Sequence, residues 1–178
     1  MKKKVVVLTL LMLAACLTGC TAEKQTVSEK QTTATGFFGT FESVTLNGTE
    51  VTQDIFKEAD LTMVNIWGTF CGPCISEMPD LGEIAEEYAE KGVQIVGIVS
   101  DVTDPENEEA KAIVEQTGAD YTHIITTKSM LDGYLAGVQV VPTTVFVNSE
   151  GKKVGDIYTG AKSKEVWSGI IDELLEEE

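Results

Sequence analysis

The chain has 178 residues, enough for one domain and an appendage, and its apolar fraction of 43% is ordinary for a protein with a packed core. It carries 13 lysines, no arginine and 29 acidic residues, which gives a formal net charge of −16. Because so acidic a surface repels phosphate backbones and the chain has no basic stripe, these numbers exclude nucleic acid as an expected partner.

Residues 1–19 are typical of a signal peptide. Lys2, Lys3 and Lys4 precede an apolar run at 5–13 that is too short to span a bilayer. The following Leu-Thr-Gly-Cys resembles the bacterial lipobox, so we expect cleavage before Cys20 and a lipid on that cysteine, with Cys16 as the alternative. An uncleaved N-terminal anchor is the other interpretation. Either one holds the domain at a membrane, outside the cytoplasm.

Residues 20–36 form the expected lipidated cysteine and flexible tether, and residues 37–178 the folded domain. The tether is rich in Thr, Glu, Lys, Gln and Ser, a composition that cannot bury enough apolar surface to offset chain entropy. Cleavage before Cys20 would remove three lysines and leave ten against 29 acidic residues, a formal charge of −19. Such a domain is repelled by an anionic leaflet, which favours a projecting arrangement.

Hydrophobic periodicity predicts an α/β order of elements. Asn47-Gly48 is a strong hairpin signal, continuous apolar runs predict buried strands, and helical spacing predicts amphipathic helices. We expect a mixed sheet with helices on both faces. In chain order the predicted elements are strands at 41–46 and 50–52, a short helix from Asp54 to Glu58, a strand at 61–67, a helix from the cysteines to Gly92, a strand at 93–99, a helix from Asp104-Pro105 to Gly118, a strand at 121–126, a short helix at 129–135, strands at 143–147 and 154–158, and a last helix with Val166, Ile170, Ile171 and Leu174 on one stripe.

Cys71 and Cys74 are separated by glycine and proline where a predicted strand passes into a helix. Such a pair can bind metal, form a static disulfide, attach haem or exchange disulfides. Zinc needs about four ligands, and the domain offers no second cysteine pair and only one histidine, His123. Haem attachment needs a histidine after the second cysteine, where Ile75 stands. Redox exchange is therefore favoured, and a static disulfide is the alternative.

The spacing predicts different roles for the two cysteines. Cys71 is expected at the helix N-terminus, where unpaired N–H groups and the helix dipole stabilise a thiolate. Cys74 is expected one turn deeper on the same face, where it reaches the Cys71 sulfur more easily than a substrate. We therefore expect Cys71 to attack and Cys74 to resolve the mixed disulfide.

Three motifs together resemble the thioredoxin superfamily: Trp67, the Cys-Gly-Pro-Cys sequence and the segment Val-Val-Pro-Thr-Thr at 140–144. The fuller pattern from Asn65 to Pro79 is similar to its membrane-anchored branch, the ResA/TlpA-like thiol-disulfide oxidoreductases. The resemblance covers about 41–175. It implies a thioredoxin-like fold, with a central mixed sheet flanked by helices, an extra N-terminal β-hairpin and an inserted helix. It also implies no metal and no cofactor besides a redox-active disulfide.

The resemblance also implies the remaining site residues. Pro142 is expected to be cis and beside the dithiol, with Val141 offering its backbone to a substrate; a trans proline is the alternative. Trp67 is expected as a platform flanking the site. Where thioredoxin has a buried aspartate this chain has Asn65, which cannot exchange protons, and the resemblance gives that role to Glu77, as acceptor of the resolving cysteine's proton. An exposed Glu77 without a task is the alternative.

Two further positions carry smaller expectations. Phe70 stands where a tryptophan is frequent, and we expect it to affect partner choice but not chemistry. His123 is expected to be a strand residue without a catalytic task.

The predicted function is a lipid-anchored reductase on the outer face of the bacterial cytoplasmic membrane. It would take electrons from a membrane thiol-disulfide donor and reduce disulfides in exported proteins, and the Gly-Pro dipeptide favours reduction over oxidation. A dithiol oxidase, a thiol peroxidase and a non-enzymatic binding lipoprotein remain alternatives at this point. The chain has no arginine to assist a peroxidatic cysteine.

Overall fold

The computed structural model describes residues 36–176. The predicted signal peptide, both candidate lipidation sites (Cys16 and Cys20) and nearly all of the predicted tether lie outside the described residues. Within 36–176, each helix is too short or too polar to cross a membrane.

Seven strands and four α-helices make up the regular structure of residues 36–176. Three short 3₁₀ turns, at Gln53–Glu58, Ala89–Lys91 and Tyr134–Gly137, connect some of them. The strands are β1 (Glu42–Val44), β2 (Glu50–Thr52), β3 (Leu61–Trp67), β4 (Val93–Val99), β5 (Thr122–Ile125), β6 (Thr143–Asn148) and β7 (Lys153–Thr159). The α-helices are α1 (Gly72–Tyr88), α2 (Glu108–Thr117), α3 (Lys128–Asp132) and α4 (Lys164–Glu176).

The central sheet has the strand order β5-β4-β3-β6-β7. Strands β3, β4 and β5 run parallel, while β6 and β7 are antiparallel to their neighbours, so the sheet is mixed as predicted. Strand β3 lies in the middle and all seven of its residues are buried, which fits its nearly continuous apolar sequence, interrupted by Thr62 and Asn65. The strand that leads to Cys71 is therefore the most protected one in the sheet.

Apolar side chains cover both faces of this sheet. On one face, α1 and α4 pack Leu81, Ile84 and Ile171 against the sheet, in a cluster that includes Met63 and Phe146. On the other face, the Gln53–Glu58 turn and α3 contribute side chains to a second cluster. Burying one such side chain contributes about 1.5–3 kcal/mol, so these two layers hold the sheet and the helix that begins at the cysteines.

The N-terminal hairpin forms a two-stranded sheet of its own. Strands β1 and β2 are antiparallel and flank the predicted Asn47-Gly48 turn, with Gly48 at a φ of +78°. Thr45, just after β1, bridges to Ile124 of β5, and this bridge attaches the hairpin to the edge of the main sheet.

Two helices start elsewhere than predicted. Helix α2 is capped by Asn107, whose Oδ1 accepts the Ala110 N–H at 2.8 Å, whereas Asp104 accepts the Glu106 N–H and forms a turn before the helix. The Gln53–Glu58 turn is capped by Thr52 and not by Asp54. In both places the predicted aspartate lies two or three residues from the true cap, and short polar side chains serve turns as well as helix starts.

The buried stripe of α4 matches the predicted one at Ile171 and Leu174, but it includes Trp167 in place of Val166. Val166 is 48% exposed, and Ile170 is half-buried. Apolar residues occupy several adjacent positions in this helix, so the sequence pattern fits more than one phase. The difference matters because it turns the Trp167 indole towards helix α1 and the candidate site.

Candidate active site

Cys71 and Cys74 form a disulfide at the junction of β3 and α1, with their Cα atoms 5.3 Å apart. Cys71 is the N-cap of α1, and its sulfur accepts the backbone N–H of Cys74 at 3.2 Å. This N–H and the helix dipole favour negative charge on the Cys71 sulfur after reduction. Cys71 is 5% exposed and Cys74 is fully buried, so the attacking role predicted for Cys71 fits its position.

The Val141–Pro142 segment lies against this disulfide, although it is seventy residues away in sequence. Its peptide bond is cis, as the resemblance implied. The Val141 carbonyl oxygen is 3.5 Å from the Cys71 sulfur. The backbone that was expected to meet a substrate is therefore next to the sulfur that would react.

Trp67 flanks the dithiol as expected, but from inside the protein and not as a residue that binds substrate. Its side chain is fully buried and packs in one cluster with both cysteines. The indole N–H donates to Nδ1 of His123 at 3.1 Å, and Nε2 of His123 donates to the Ala119 carbonyl at 2.9 Å. Trp67 ends the central strand, where no side chain is exposed. It supports the disulfide from inside the protein and cannot contact a substrate.

Glu77 is buried in α1, one turn beyond Cys74, with 3% of the residue exposed. The alternative of an exposed glutamate without a task is therefore wrong about its exposure. Its Oε1 accepts a hydrogen bond from Nδ2 of Asn65 at 3.0 Å. Its Oε2 accepts two hydrogen bonds, from the backbone N–H of Lys162 at 3.0 Å and from the indole N–H of Trp167 at 3.3 Å. Burial raises the pKa of Glu77, and these three donors oppose the rise.

Asn65 connects Glu77 to the sheet. It lies fully buried in β3 and donates through the same Nδ2 to Oγ1 of Thr144 in β6, at 3.1 Å. Its Oδ1 is buried and has no hydrogen-bond partner. Asn65, which stands where thioredoxin has an aspartate, thus contacts Glu77, the residue that the resemblance makes the acceptor of the Cys74 proton.

Asp101 fixes the residue pair that precedes the dithiol. Its two carboxylate oxygens accept the Thr69 backbone N–H at 3.1 and 3.2 Å, and the Thr69 hydroxyl donates to it at 2.7 Å. Trp67 of β3 pairs with Val99 of β4, so the residues two positions beyond each strand lie side by side. The adjacent Phe70 is 73% exposed next to Cys71.

The comparisons with known proteins identify the family of the chain. Residues 25–168 match the model of the Redoxin family. The chain belongs to the Redoxin family.

Two relatives carry the name thiol-disulfide oxidoreductase ResA. The one from Bacillus thuringiensis (strain Al Hakam) is 34% identical over 111 residues, which cover 62% of this chain and 61% of the relative. The one from Halalkalibacterium halodurans is 30% identical over 114 residues, covering 64% and 59%. The chain thus spans about three fifths of the length of the curated relatives it matches.

Solved structures confirm the thioredoxin-like fold. A thiol:disulfide interchange protein of the thioredoxin family from Chlorobium tepidum TLS superimposes with a TM-score of 0.65 and 25% identity, covering 76% of this chain and 93% of that one. A secreted disulfide oxidoreductase from Mycobacterium tuberculosis gives 0.61 at 22% identity, covering 75% and 96%, and this likeness concerns the fold alone.

Several residues of this Redoxin-family site escaped sequence reasoning. Thr144 and Asp101 lie on other strands or just beyond them, and only strand register brings them to the site. The backbone of Lys162 has no sequence signal at all. Trp167 had one, because an indole on the buried stripe of a helix needs an acceptor for its N–H.

The dithiol is nearly buried, and it lies apart from a wide groove of the domain. This groove, of about 1090 Å³, runs along the hairpin and the start of α3, and neither cysteine lines it. Two exposed apolar residues adjoin the site in sequence: Phe70 precedes Cys71, and Val140, which is 54% exposed, precedes Val141. Among residues 36–176, no three His, Cys, Asp or Glu side chains are placed to hold a metal ion.

Proposed function

We propose that this chain is an extracytoplasmic thiol-disulfide oxidoreductase that reduces disulfides in exported proteins. The observation that carries the proposal is the Cys71–Cys74 disulfide at the start of α1. A helix N–H points at the outer sulfur, and the cis Val141–Pro142 backbone lies against it. This arrangement can open and close a disulfide in contact with another chain.

The reaction begins with both cysteines reduced and Cys71 as thiolate. The Cys71 sulfur attacks one sulfur of the client disulfide, and the other client sulfur leaves as thiolate and takes up a proton. Cys74 then gives its proton to Glu77 and attacks the Cys71 sulfur. The client sulfur that was bound to Cys71 leaves as a thiolate and takes up a proton, so the client is released as a dithiol. The Cys71–Cys74 disulfide is formed, and two electrons have passed to the client.

The surface around Cys71 suits an extended peptide better than a small molecule. The Val141 backbone lies against the Cys71 sulfur, and the exposed apolar side chains of Phe70 and Val140 are the chain neighbours of Cys71 and Val141. Because these groups sit on an open surface, they can bind an apolar segment next to the disulfide of a client protein.

The proposal includes the location and the source of electrons. The signal-peptide and lipobox-like pattern at the N-terminus supports a lipid on Cys20, with Cys16 as the alternative, and a place on the outer face of the cytoplasmic membrane. There the protein would be reduced again by a membrane thiol-disulfide carrier. The names of its ResA relatives support the reaction type.

The decisive test is to trap the mixed disulfide with Cys74→Ser. Without the resolving thiol, the complex through Cys71 has no internal exit, so client proteins are expected to accumulate as adducts that a reductant releases. The adducts are resolved on non-reducing gels from cells that express the full chain. Cys71→Ser is the matched control and should trap almost none. Equal trapping by both variants, or none by either, would remove the proposed roles.

The direction of electron flow is tested by titrating the dithiol against glutathione buffers. A reductase has a potential near the thioredoxin end of the scale, about −270 mV, whereas an oxidase lies near −120 mV. We expect a value on the reducing side. A value at the oxidising end would make the protein a dithiol oxidase.

A further inference from the structure

Three N–H donors converge on the carboxylate of Glu77 from outside its own helix. We propose that two of their owners, Asn65 and Trp167, are positioning residues. They hold Glu77 charged and oriented inside the protein, and so set the pH range in which Cys74 can lose its proton. The second half of this inference rests on the proposed function, since it takes Glu77 as the acceptor of that proton.

The geometry favours the charged form of Glu77 at each contact. Asn65 reaches Oε1 from β3, the Lys162 backbone reaches Oε2 from the loop before α4, and Trp167 reaches Oε2 from α4 itself. In every contact the protein donates and the carboxyl accepts. Hydrogen bonds to a charged acceptor are stronger than those to a neutral one, so each bond favours the carboxylate over the acid.

The orientation of the Asn65 amide fits a Glu77 that accepts hydrogen bonds and does not donate one. Both of its hydrogen bonds are made by Nδ2, to Glu77 and to Thr144, and its Oδ1 remains buried without a partner. Buried polar atoms rarely stay unpaired. The orphan oxygen is thus the consequence of aiming the amide N–H at a carboxylate. A protonated Glu77 would need an acceptor at the same place, and only a turned amide would supply one.

Other ionisable groups also face Glu77, and they act in both directions. The ammonium of Lys162 attracts negative charge and lies over the ring of Trp167, 5.3 Å from its centroid. The buried phenol of Tyr121 interacts with Glu77, which helps to raise the tyrosine pKa, although burial is the larger cause. On α1 itself, Asp80 is bound to the Lys164 backbone, and the dithiol lies one turn before Glu77.

The sign of the effect follows from these contacts. Burial raises the pKa of Glu77, and the donors limit that rise. Removing one donor takes away an interaction with the charged form only, so the pKa rises further. Glu77 then stays protonated, and unable to accept a proton, up to a higher pH.

The test uses the full chain with Trp167→Phe, which keeps an aromatic ring but removes the indole N–H, and with Asn65→Leu, which keeps the approximate shape of the amide. Ile171→Val is the control, since Ile171 is also fully buried in α4 but donates nothing to Glu77. The first readout is the ¹³C carboxyl resonance of Glu77 in the oxidised protein, assigned by its loss in Glu77→Gln and titrated with pH. Its midpoint is expected to rise in both donor variants and to stay in place in the control.

The second readout is the rate at which the mixed disulfide resolves, measured against pH. Below the wild-type midpoint, either donor variant is expected to resolve it about tenfold to a hundredfold more slowly, the loss that one hydrogen bond to a charged group represents. In a Glu77→Gln background the same substitutions should leave the pH profile unchanged. A merely structural role of Trp167 or Asn65 would lower the rate equally in both backgrounds.

The outcomes separate the inference from the proposed function. An unmoved Glu77 titration in both donor variants overturns the inference, and so does an equal shift in Ile171→Val. A shifted titration combined with a pH profile that does not depend on Glu77 overturns its link to Cys74. If the wild-type chain exchanges no disulfide at any pH, the proposed function fails. The titration of the oxidised protein does not depend on that activity.

Discussion

The buried imidazole of His123 makes the stability of the site depend on pH. Both ring nitrogens are occupied, Nδ1 as acceptor for Trp67 and Nε2 as donor to Ala119. A proton on Nδ1 would break the bond to Trp67, and burial opposes the charge. Burial therefore lowers the pKa of His123 to about 4, against the weaker effects of the Ala119 carbonyl and Asp120.

This pKa predicts a loss of stability in mild acid. In the unfolded chain His123 takes up its proton near pH 6.5, whereas in the folded protein it does so only near pH 4. The unfolded state thus binds more protons in between. The stability that neutral His123 contributes is complete above pH 6.5 and declines as the pH falls towards 4. At pH 4.5 the free energy of unfolding is expected to be about 2–3 kcal/mol lower than at pH 7 because of this one residue.

Urea unfolding at pH 7 and pH 4.5 measures this loss. The comparison is with His123→Gln, whose amide can still accept from Trp67 but does not titrate. The variant should be less stable than the wild type at pH 7 and lose less between the two pH values. If the wild type and the variant lose equal stability, the acid sensitivity comes from other groups.

At the scale of elements, α1 fixes the start of α4. Four of its carboxylates, three or four residues apart, face the loop and helix that follow β7. Glu77 accepts the Lys162 N–H, Asp80 accepts the Lys164 N–H at 2.9 Å, and Glu83 and Glu87 pair with the Lys164 ammonium at 2.7 and 2.5 Å. The first turn of α4 is therefore capped by another helix.

Asp80→Ala is predicted to loosen this junction. It leaves a helix N–H without its cap, which costs about 1–2 kcal/mol. Glu83→Ala is the matched control on the same helix face. It removes only an exposed ion pair with Lys164, and such pairs contribute little, so no measurable loss is expected. Chemical denaturation of both variants decides the matter, and an equal effect of the two would assign the stability to charge and not to capping.

At the scale of the whole molecule, the dominant property is its negative charge of −16. Such a field acts at long range on any charged client before contact is made. It changes how often a charged client arrives at the dithiol. Phe70 and Val140 carry no charge and so contribute contact area without opposing this field.

Client charge is therefore expected to control the rate of reduction. The second-order rate constant for a cationic disulfide peptide should fall severalfold between about 20 mM and about 300 mM salt, as screening shortens from about 20 Å to about 6 Å. An anionic peptide of the same length should show the opposite trend, and a neutral one no trend. Stopped-flow kinetics gives the three rates. Identical salt dependence for all three peptides would contradict electrostatic steering.

How much could be predicted depended on whether the cause was local. The dithiol at a helix start, the Asn47-Gly48 turn and the order of strands and helices follow from neighbouring residues, and the structure has them. The burial of Trp67 and the contact of Asp101 with Thr69 depend on which strands become neighbours. A single sequence does not contain that pairing.

The prediction of which α4 residues are buried was wrong at Val166 for a related reason. Several adjacent apolar residues made Val166 and Trp167 equal candidates for the buried side, and packing on α1 decided between them. The Asn65–Glu77 contact was predictable in part. The resemblance selected the two positions, but only the packing of α1 beside β3 shows that the two side chains touch.

The two tryptophans of the chain, Trp67 and Trp167, are both fully buried at the candidate site. Trp67 packs in the cluster that holds the disulfide, and Trp167 donates to Glu77. An excited indole next to a disulfide loses part of its emission, so reduction of the Cys71–Cys74 bond is expected to raise the fluorescence of Trp67. The chain's own fluorescence then follows the oxidation state of the dithiol without any label added.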